Sequence, residues 1–405
     1  MKALKIVVCD DNKRRAQDWL ASIQSAGRSA NVVGVAIGAD DLRKAAAELA
    51  QREIQARKAK KKSRAASANP FDGREVAFID YDLVKVDHLD GENLARLVRC
   101  YSDTAIIVVV NREVGTFDLK LRAEPTAWAD VDIHSTQIGN EGLWSEPWTG
   151  FRPWHWPLLP QAVKAFRRNV RKFRRLLDQP IAKALGMTAD MVAVLPESVW
   201  EQVARGSDRS KATVRQVVDG VPMGLRPKER LFDDDAATRF AVARLTKWLC
   251  QVVLPGQNIL VDAPHLVSRL PCLLERGKKP TSGTLNELGL ISNTRPKGLD
   301  DRLIRRYAFD GSGLLDRPAW FWPSVSKDTK IPDIKEPWNV EPLPLVFCED
   351  LSQFVAPEAA RQFKAEVDSP YSARFVANPR SSKLSAKLRK AIRGVSYEPV
   401  NRFAL

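Results

Sequence analysis

A chain of 405 residues exceeds the usual size of one domain, so two or three domains with real hydrophobic cores are expected. Lysine and arginine number 64 against 49 aspartate and glutamate residues, and the formal charge of +15 favours polyanionic partners such as nucleic acid or an anionic membrane surface. The five cysteines and four histidines form no paired or ligand-like set, and no apolar segment is long enough to span a bilayer, so we expect a cytoplasmic protein without membrane insertion.

Residues 1–150 alternate short apolar runs with helical patterns, which is typical of repeated βα units. The predicted strands are 4–9, 31–36, 75–80, 104–110 and about 129–135, and the predicted helices lie near 13–26, 40–65 and 91–101. The pattern predicts an α/β fold in which a doubly wound, five-stranded parallel sheet precedes a mainly helical C-terminal domain.

Carboxylates follow two of these apolar runs. Asp10 and Asp11 come directly after the first run, and Asp80 ends the third. In an open parallel sheet the ligand site lies beyond the carboxyl ends of the strands, so the three acids should converge. Crowded carboxylates repel one another unless a hard divalent cation lies among them, and Mg²⁺ prefers such oxygen ligands. The sequence therefore predicts a Mg²⁺ site, and the alternative is that the acids bind water or cap a helix.

This arrangement resembles the acidic pocket of a response-regulator receiver domain, and the resemblance covers about the first third of the chain. Segments 80–83 and 90–94 are similar to the family's loop and third helix. The resemblance implies a flavodoxin-like fold, Asp80 as phosphoacceptor, and Asp10 and Asp11 as the pair that holds Mg²⁺. It also implies a histidine kinase or another signalling protein as upstream partner in a two-component phosphorelay.

Two positions depart from the family pattern. The family places a serine or threonine at the end of the fourth strand, where this chain has Val110, and valine cannot donate a hydrogen bond to a phosphoryl group. The family's lysine after the fifth strand has no counterpart, because no lysine occurs from 121 to 163 and the nearest match offers Glu146. We therefore predict a divergent or pseudo-receiver that serves chiefly as an interaction or homodimerisation module.

Cations are concentrated in two further segments. An insertion at 45–70 carries a basic run at 57–64, which is either a solvated helix end or a phosphate contact. Residues 151–180 form a junction in which tryptophan and proline precede an amphipathic helix, and we favour packing of the rings at a domain seam over stacking on bases. The polar face of this helix carries Lys164, Arg167, Arg168, Arg171, Lys172, Arg174 and Arg175. The predicted nucleic-acid contacts on it are Arg167, Arg168, Arg171 and Arg174.

Residues 199–220 look like the helix-turn-helix of the lac-repressor family. A first helix at 199–205 and a turn at 206–209 would precede a second helix from Ser210 to Gly220. The resemblance implies that Lys211, Thr213 and Arg215 face the major groove or its phosphates. The alternative is an ordinary helical hairpin packed in a core.

Residues 181–405 match no enzyme family and are interpreted as an effector domain. Asp262, Glu275 and Lys278 lack the usual spacing of a nuclease site, and no phosphate-binding glycine loop is present. We predict a cytoplasmic regulatory protein whose basic C-terminal region contacts DNA or RNA. The alternative is an effector enzyme, nuclease or toxin-like, of a bacterial stress or defence system, and a scaffold without catalysis is a third class.

Overall fold

The computed structural model describes residues 3–58, 69–86, 89–112, 128–148, 150–204, 208–219, 233–275, 280–291, 296–332, 344–363 and 374–392. The strands are β1 (Leu4–Cys9), β2 (Val32–Ile37), β3 (Val76–Asp80), β4 (Ile106–Asn111), β5 (Val131–His134), β6 (Leu260–Asp262), β7 (Ala308–Phe309), β8 (Ala319–Phe321), β9 (Val346–Cys348), β10 (Gln353–Val355), β11 (Ala360–Phe363) and β12 (Arg374–Ala377). The α-helices are α1 (Lys13–Ala26), α2 (Ala39–Lys58), α3 (Gly91–Tyr101), α4 (Leu159–Phe173), α5 (Ile181–Leu185), α6 (Ala189–Val194), α7 (Glu197–Ala204), α8 (Gln216–Asp219), α9 (Asp234–Trp248), α10 (Ala263–Arg269), α11 (Ser282–Asn286), α12 (Trp322–Val325) and α13 (Ala386–Ala391).

The first five strands form one parallel sheet in the order β2-β1-β3-β4-β5. This is the strand order of flavodoxin-like sheets, and the predicted five-stranded parallel sheet is confirmed. In the register of the sheet, Cys9 lies beside Ile79, and Asp80 lies beside Val110. The acids that follow β1 and end β3 are therefore neighbours at one edge.

Both faces of this sheet are buried, which explains the continuous apolar runs of its strands. Ile6 of β1 belongs to the core cluster shared with α1 and α4, whereas Val7 belongs to the cluster shared with α2 and α3. The first cluster continues through the C-terminal part of the chain as far as Ile392. The sheet and the C-terminal part thus share one core, while the domain limits at 150 and 180 stay predictions.

Local contacts fix the helices that begin at the carboxyl edge. The side chain of Asn12 accepts hydrogen bonds from the backbone N–H groups of Arg14 and Arg15 and so caps α1. Asp90 caps α3 in the same way, and a Cβ atom at Gly91 would lie 2.4 Å from the carbonyl oxygen of Asp80. Glycine is needed there because α3 starts directly against the end of β3.

The prediction of a mainly helical C-terminal domain is not clearly confirmed, because the described C-terminal residues combine helices α5 to α13 with two small sheets. Strands β6, β8 and β7 form a three-stranded antiparallel sheet, and β10, β9, β12 and β11 form a four-stranded sheet. All seven of these strands have only two to four residues. Such short apolar runs carry too little periodicity to be distinguished from buried helix in the sequence.

The predicted helix-turn-helix is also corrected. The first helix is present as α7, but the segment from Ser210 to Arg215 consists of turns around an isolated bridge residue, and only Gln216–Asp219 are helical. The backbone of this segment pairs with residues just after α4, since the N–H groups of Ile181 and Val214 donate to the carbonyls of Ala212 and Gln179. A segment paired in this way cannot present a recognition helix to a groove.

The tryptophans between α4 and the sheet are buried. Trp144, Trp148, Trp154 and Trp156 are all shielded from solvent, so the packing interpretation applies to them and base stacking does not. The basic run of the predicted insertion lies outside the described residues apart from the end of α2. Among the helices of the described part, none is both long and apolar enough to cross a membrane.

Candidate functional site

The three acids predicted to converge do so at the carboxyl edge of the parallel sheet. Asp10 follows β1, Asp80 ends β3, and both are fully buried, whereas Asp11 is partly exposed. Each offers a carboxylate oxygen, and these oxygens lie within 4.8 Å of one another. These three residues are called the acidic pocket below.

The guanidinium of Arg15 lies among the three carboxylates of the acidic pocket. Its Nε donates to Asp10 Oδ2, and its Nη2 lies 2.6 Å from Asp10 Oδ1, 2.9 Å from Asp11 Oδ1 and 3.4 Å from Asp80 Oδ2. These hydrogen bonds raise the pKa of Arg15, and the carboxylate of Asp10 is the main cause. The pocket therefore already holds a cation that belongs to the chain.

A second guanidinium closes the other side of Asp80. Arg112 follows β4, and its Nη2 lies 3.1 Å from Asp80 Oδ2 and 3.3 Å from Asp82 Oδ2. Val110, which pairs with Asp80 in the sheet, is fully buried and offers only an apolar surface. Asp80 is thus flanked by two arginines and by a valine where a receiver has a hydroxyl.

The ionised form of Asp80 is less favourable in the folded protein than in water, although two arginines lie beside it. Burial raises the pKa of Asp80, and the negative charge of Asp10 raises it further. Arg112, the backbone N–H of Asp82 and Arg15 oppose this effect, and the resulting pKa is about 6. Desolvation therefore outweighs the attraction of both guanidinium groups at this carboxylate.

The donor set of the acidic pocket fits Mg²⁺ chemically, because three carboxylate oxygens can enter an octahedral shell completed by water. Asp10, Asp11 and Asp80 would hold the ion, which would supply positive charge to oxygens reacting at Asp80. Arg15 contacts the same three carboxylates, so the ion and the guanidinium compete for the same oxygens.

Glu146, the nearest sequence match to the family's lysine, is engaged elsewhere. Its Oε1 lies 3.2 Å from Nη1 of Arg152 and accepts a hydrogen bond of 2.8 Å from the N–H of Ile291. An ionised carboxylate only accepts hydrogen bonds, so Glu146 cannot donate to a phosphoryl group as a lysine ammonium would.

Two of the predicted nucleic-acid contacts on α4 make ion pairs within the protein. Nη1 of Arg167 lies 2.6 Å from Oε1 of Glu75, just before β3, and Nη2 of Arg174 lies 3.1 Å from Oδ1 of Asp235 in α9. Both arginines therefore attach α4 to neighbouring elements on one flank of the helix.

The opposite flank of α4 is attached through carbonyl groups. Nη2 of Arg168 donates to the carbonyl of Gly313 at 3.2 Å, and Nζ of Lys172 donates to that of Ser312 at 2.7 Å. Arg171, between the two flanks, has an exposed side chain without an ion pair or hydrogen bond among the described residues. Only this one of the four predicted arginines stays uncommitted within the described part.

The residues predicted to read DNA at 211–215 do not share a helix face. Lys211 is exposed, and Thr213 forms an isolated β-bridge with Pro180. Arg215 binds Asp178 at 2.7 Å and Asp234 at 2.8 Å. The structure therefore places Thr213 and Arg215 in contacts that join α4, α5 and α9.

A buried polar network, which the sequence reasoning missed, lies between the two C-terminal sheets. Nδ1 of His265 lies 2.6 Å from Oδ1 of Asp262, and Nε2 lies 3.0 Å from Oε1 of Glu349. Arg374 binds both oxygens of Glu349 at 2.6 and 2.7 Å, and Nε1 of Trp154 donates to the same carboxylate at 2.9 Å. These five residues are called the His265 network below.

Charges within the His265 network stabilise one another. Burial alone would raise the pKa of Glu349, but Arg374 and His265 lower it to about 2. Burial alone would lower the pKa of His265, but Asp262 and Glu349 raise it. Because both ring nitrogens face carboxylates, the imidazolium form donates to both, and neither nitrogen is free to act as a general base.

The weak nuclease pattern is not assembled around Asp262. This residue caps α10 and binds His265, while Glu275 is exposed and Lys278 lies outside the described residues. The spacing Asp262-x-x-His265 was the available signal for the network, because a helix cap of this kind brings the two side chains together.

The strand order and the acidic pocket define a flavodoxin-like α/β layer with a receiver-like arrangement of acids. No protein-family model matches the chain, and no curated protein matches it. A solved structure of the RcsB response regulator of Salmonella typhimurium, whose description concerns conformational dynamism for DNA interaction, is similar at 12% identity with a TM-score of 0.23. The match covers 52% of this chain and 97% of that chain. At this TM-score the similarity does not establish a shared fold or a shared role.

Proposed function

We propose that this chain is a regulatory protein of the response-regulator type, in which the N-terminal layer works as a pseudo-receiver and the basic remainder contacts nucleic acid. One observation carries the first part: Arg15 lies among Asp10, Asp11 and Asp80, where a receiver would hold a divalent cation. The formal charge of +15 supports the second part.

The position of Arg15 affects whether Asp80 can accept a phosphoryl group. In phosphoryl transfer a metal ion bridges the oxygens of the transferred group and offsets the charge that develops on them. A guanidinium that already binds three carboxylates has few donors left for a phosphoryl group, and Val110 adds none. We infer that Asp80 is not a phosphoacceptor in this state and that the layer acts by association with a signalling protein or a second copy of the chain.

The test compares Mg²⁺ binding by the wild type and by an Arg15→Met variant. Thermal unfolding with and without about 10 mM Mg²⁺ should give little shift for the wild type, because Arg15 occupies the carboxylates. Arg15→Met should be less stable without the ion, by about 2–3 kcal/mol, and should regain stability with it, because a ligand that binds only the folded state stabilises that state. Arg14→Met is the matched control, since Arg14 is exposed and neighbours Arg15 in sequence.

The competing proposal is an active receiver with Mg²⁺ held by the acidic pocket and Asp80 as phosphoacceptor. Beryllofluoride with Mg²⁺ distinguishes the two proposals. A wild type that responds to the mixture, together with an unresponsive Asp80→Ala variant, would overturn the pseudo-receiver proposal. A wild type that ignores the mixture, while Arg15→Met binds Mg²⁺, would support it.

A further inference from the structure

We propose that three cations along the centre of the exposed face of α4 and its C-terminal turn bind the phosphates of a duplex nucleic acid. These residues are Lys164, Arg171 and Arg175, and they are called the central stripe below. The inference rests on the proposed contact with nucleic acid and names the surface that makes it.

The central stripe follows from helix geometry. Residues seven and eleven positions apart return to nearly the same side of an α-helix, because one turn takes 3.6 residues. At a rise of 1.5 Å per residue, Lys164 and Arg175 lie about 16 Å apart along the axis. That length corresponds to about five base-pair steps at 3.4 Å per step along a DNA strand.

The cationic side chains on the two flanks of α4, on either side of the central stripe, are bound to neighbouring elements. Arg167 and Arg174 pair with Glu75 and Asp235 on one flank, and two cations bind the carbonyls of residues 312 and 313 on the other. These contacts hold α4 against β3, α9 and the 312–313 turn. The central stripe is therefore presented on a helix that is fixed from both sides.

The three side chains of the stripe are exposed and lack internal neutralisation. Lys164, Arg171 and Arg175 have no ion pair or side-chain hydrogen bond with any residue in the part of the chain that the structure describes. Arg171 and Arg175 lie about 6 Å apart along the axis, within the Debye length of about 8 Å at physiological salt, so their charges repel each other. Approach of a row of phosphates removes this repulsion, whereas pairing with the flanking acids is prevented because those acids are already bound.

The surroundings of the stripe favour a duplex over a membrane or a single strand. Binding to a membrane surface usually needs exposed apolar side chains that enter the interface, and α4 offers none. The exposed large apolar residues of the described part are Val33, Ile54, Tyr81, Val84, Val194 and Leu303. Single strands are held largely by stacking of bases on aromatic rings, and the tryptophans next to α4 are buried. The stripe is therefore suited to contact with the backbone phosphates of a duplex, and such contacts do not depend on the base sequence.

The test measures the affinity of the full chain for a duplex DNA of arbitrary sequence as a function of salt, with duplex RNA and single-stranded DNA in parallel. The triple variant Lys164→Gln, Arg171→Gln, Arg175→Gln removes the stripe. The control Lys327→Gln, Lys330→Gln, Lys387→Gln removes the same charge from exposed lysines elsewhere. Thermal unfolding of all three proteins checks that each is folded.

The salt dependence of binding distinguishes the stripe from other cations of the protein. Three phosphate contacts contribute about −2.7 to the slope of log K against log salt, so the stripe variant should show a slope shallower by about that amount. Its affinity at low salt should fall at least about tenfold, and the control should retain most of the binding. Equal losses in the two variants would overturn the stripe and leave the contact with nucleic acid standing. If the wild type binds no nucleic acid, both the stripe and the proposed contact with nucleic acid are overturned. If it prefers single strands, the proposal of a duplex as the ligand is overturned.

Discussion

Asp80 is a carboxylate whose charge is costly in the folded protein. It is fully buried at the end of β3 and lies near Asp10, and the two arginines beside it do not compensate for the loss of water. An acid whose pKa is raised by folding binds its proton more tightly in the folded state, so ionisation opposes folding. The contribution of Asp80 to the stability of the protein should therefore decrease as the pH rises from 3.8, the reference value, to about 6.

The variant Asp80→Asn tests whether ionisation of Asp80 opposes folding. Asparagine keeps the shape but does not ionise, so the variant should be more stable than the wild type above pH 6, by roughly 1 kcal/mol because the pocket is partly open to water. The difference should become small near pH 4, where Asp80 is protonated in the folded state and partly protonated in the unfolded state. Urea midpoints at pH 4, 5, 6 and 7.5 measure it, with the exposed Asp18→Asn as control. A variant that is less stable at pH 7.5 would show that the arginine contacts dominate.

The convergence of the acids could be predicted from the sequence, whereas the position of Arg15 could not. Strand periodicity and the rule for the carboxyl ends of parallel strands are enough to bring Asp10, Asp11 and Asp80 together. Which of Lys13, Arg14 and Arg15 turns into the pocket depends on where α1 begins, and this is set by the cap at Asn12. Arg112 was missed for a similar reason, since its direction depends on the loop that leaves β4.

At the scale of elements, pairing with a neighbouring segment overrides local pattern. Residues 210–220 carry a helix-like sequence, but the backbone at 212–215 bonds to residues 177–181. Arg215 adds ion pairs to Asp178 and Asp234. Partners 19 or more positions away in the chain cannot be read from a short motif, so the helix-turn-helix prediction failed while the helices of the βα units were confirmed.

The His265 network joins elements that no sequence pattern connects. Asp262 and His265 belong to β6 and α10, Glu349 follows β9, and Arg374 begins β12. The rings of Trp154 and Phe347 cover His265, with centroids at 5.1 and 5.2 Å. The network thus holds the two C-terminal sheets together through charges shielded from water.

The variant His265→Gln should reveal a pH window of this network. A histidine whose pKa is raised by folding contributes stability that is complete below its unfolded pKa of about 6.5 and is lost as the pH rises through the folded value. Glu349, with its pKa lowered to about 2, contributes stability above about 4.5 that is lost as the pH falls. Both contributions are therefore present together between about pH 4.5 and 6.5.

We expect His265→Gln to lose about 2–3 kcal/mol at pH 5.5, because Asp262 and Glu349 then lose a buried charged partner. The loss should become smaller at pH 8.5, since deprotonation weakens the wild-type network as well. Denaturant unfolding at both pH values measures it, and the more exposed His134→Gln serves as control. A loss independent of pH would mean that the neutral ring provides the stability.

At the scale of the whole molecule, the parallel sheet and the C-terminal part are packed into one core. Phe166 of α4 lies in the cluster that covers the sheet, and the guanidinium of Arg99 in α3 lies 5.2 Å from its ring. Lys247 in α9 donates to the carbonyl of Ala129, and Gln251 donates to that of Asp130 at 2.7 Å. Contacts of this density predict that both parts unfold together.

The variant Phe166→Ala tests whether the parallel sheet and the C-terminal part unfold together. Removal of a buried aromatic ring leaves a cavity and should cost about 3–4 kcal/mol. If the parts unfold together, calorimetry should show one transition for the wild type and one transition at lower temperature for the variant. The exposed Val84→Ala should change little. Two transitions, of which only one moves, would show that the parts unfold independently.

The segment between the sheet and α4 is fixed to the C-terminal part of the described chain. The backbone N–H groups of Arg152 and Trp154 donate to the carbonyls of Asp350 and Glu349, so this connection is hydrogen-bonded to the far end of the chain. Here the connection is part of the interior, so the sheet and the C-terminal part cannot move apart without breaking these hydrogen bonds, and a change in one part alters how it packs on the other.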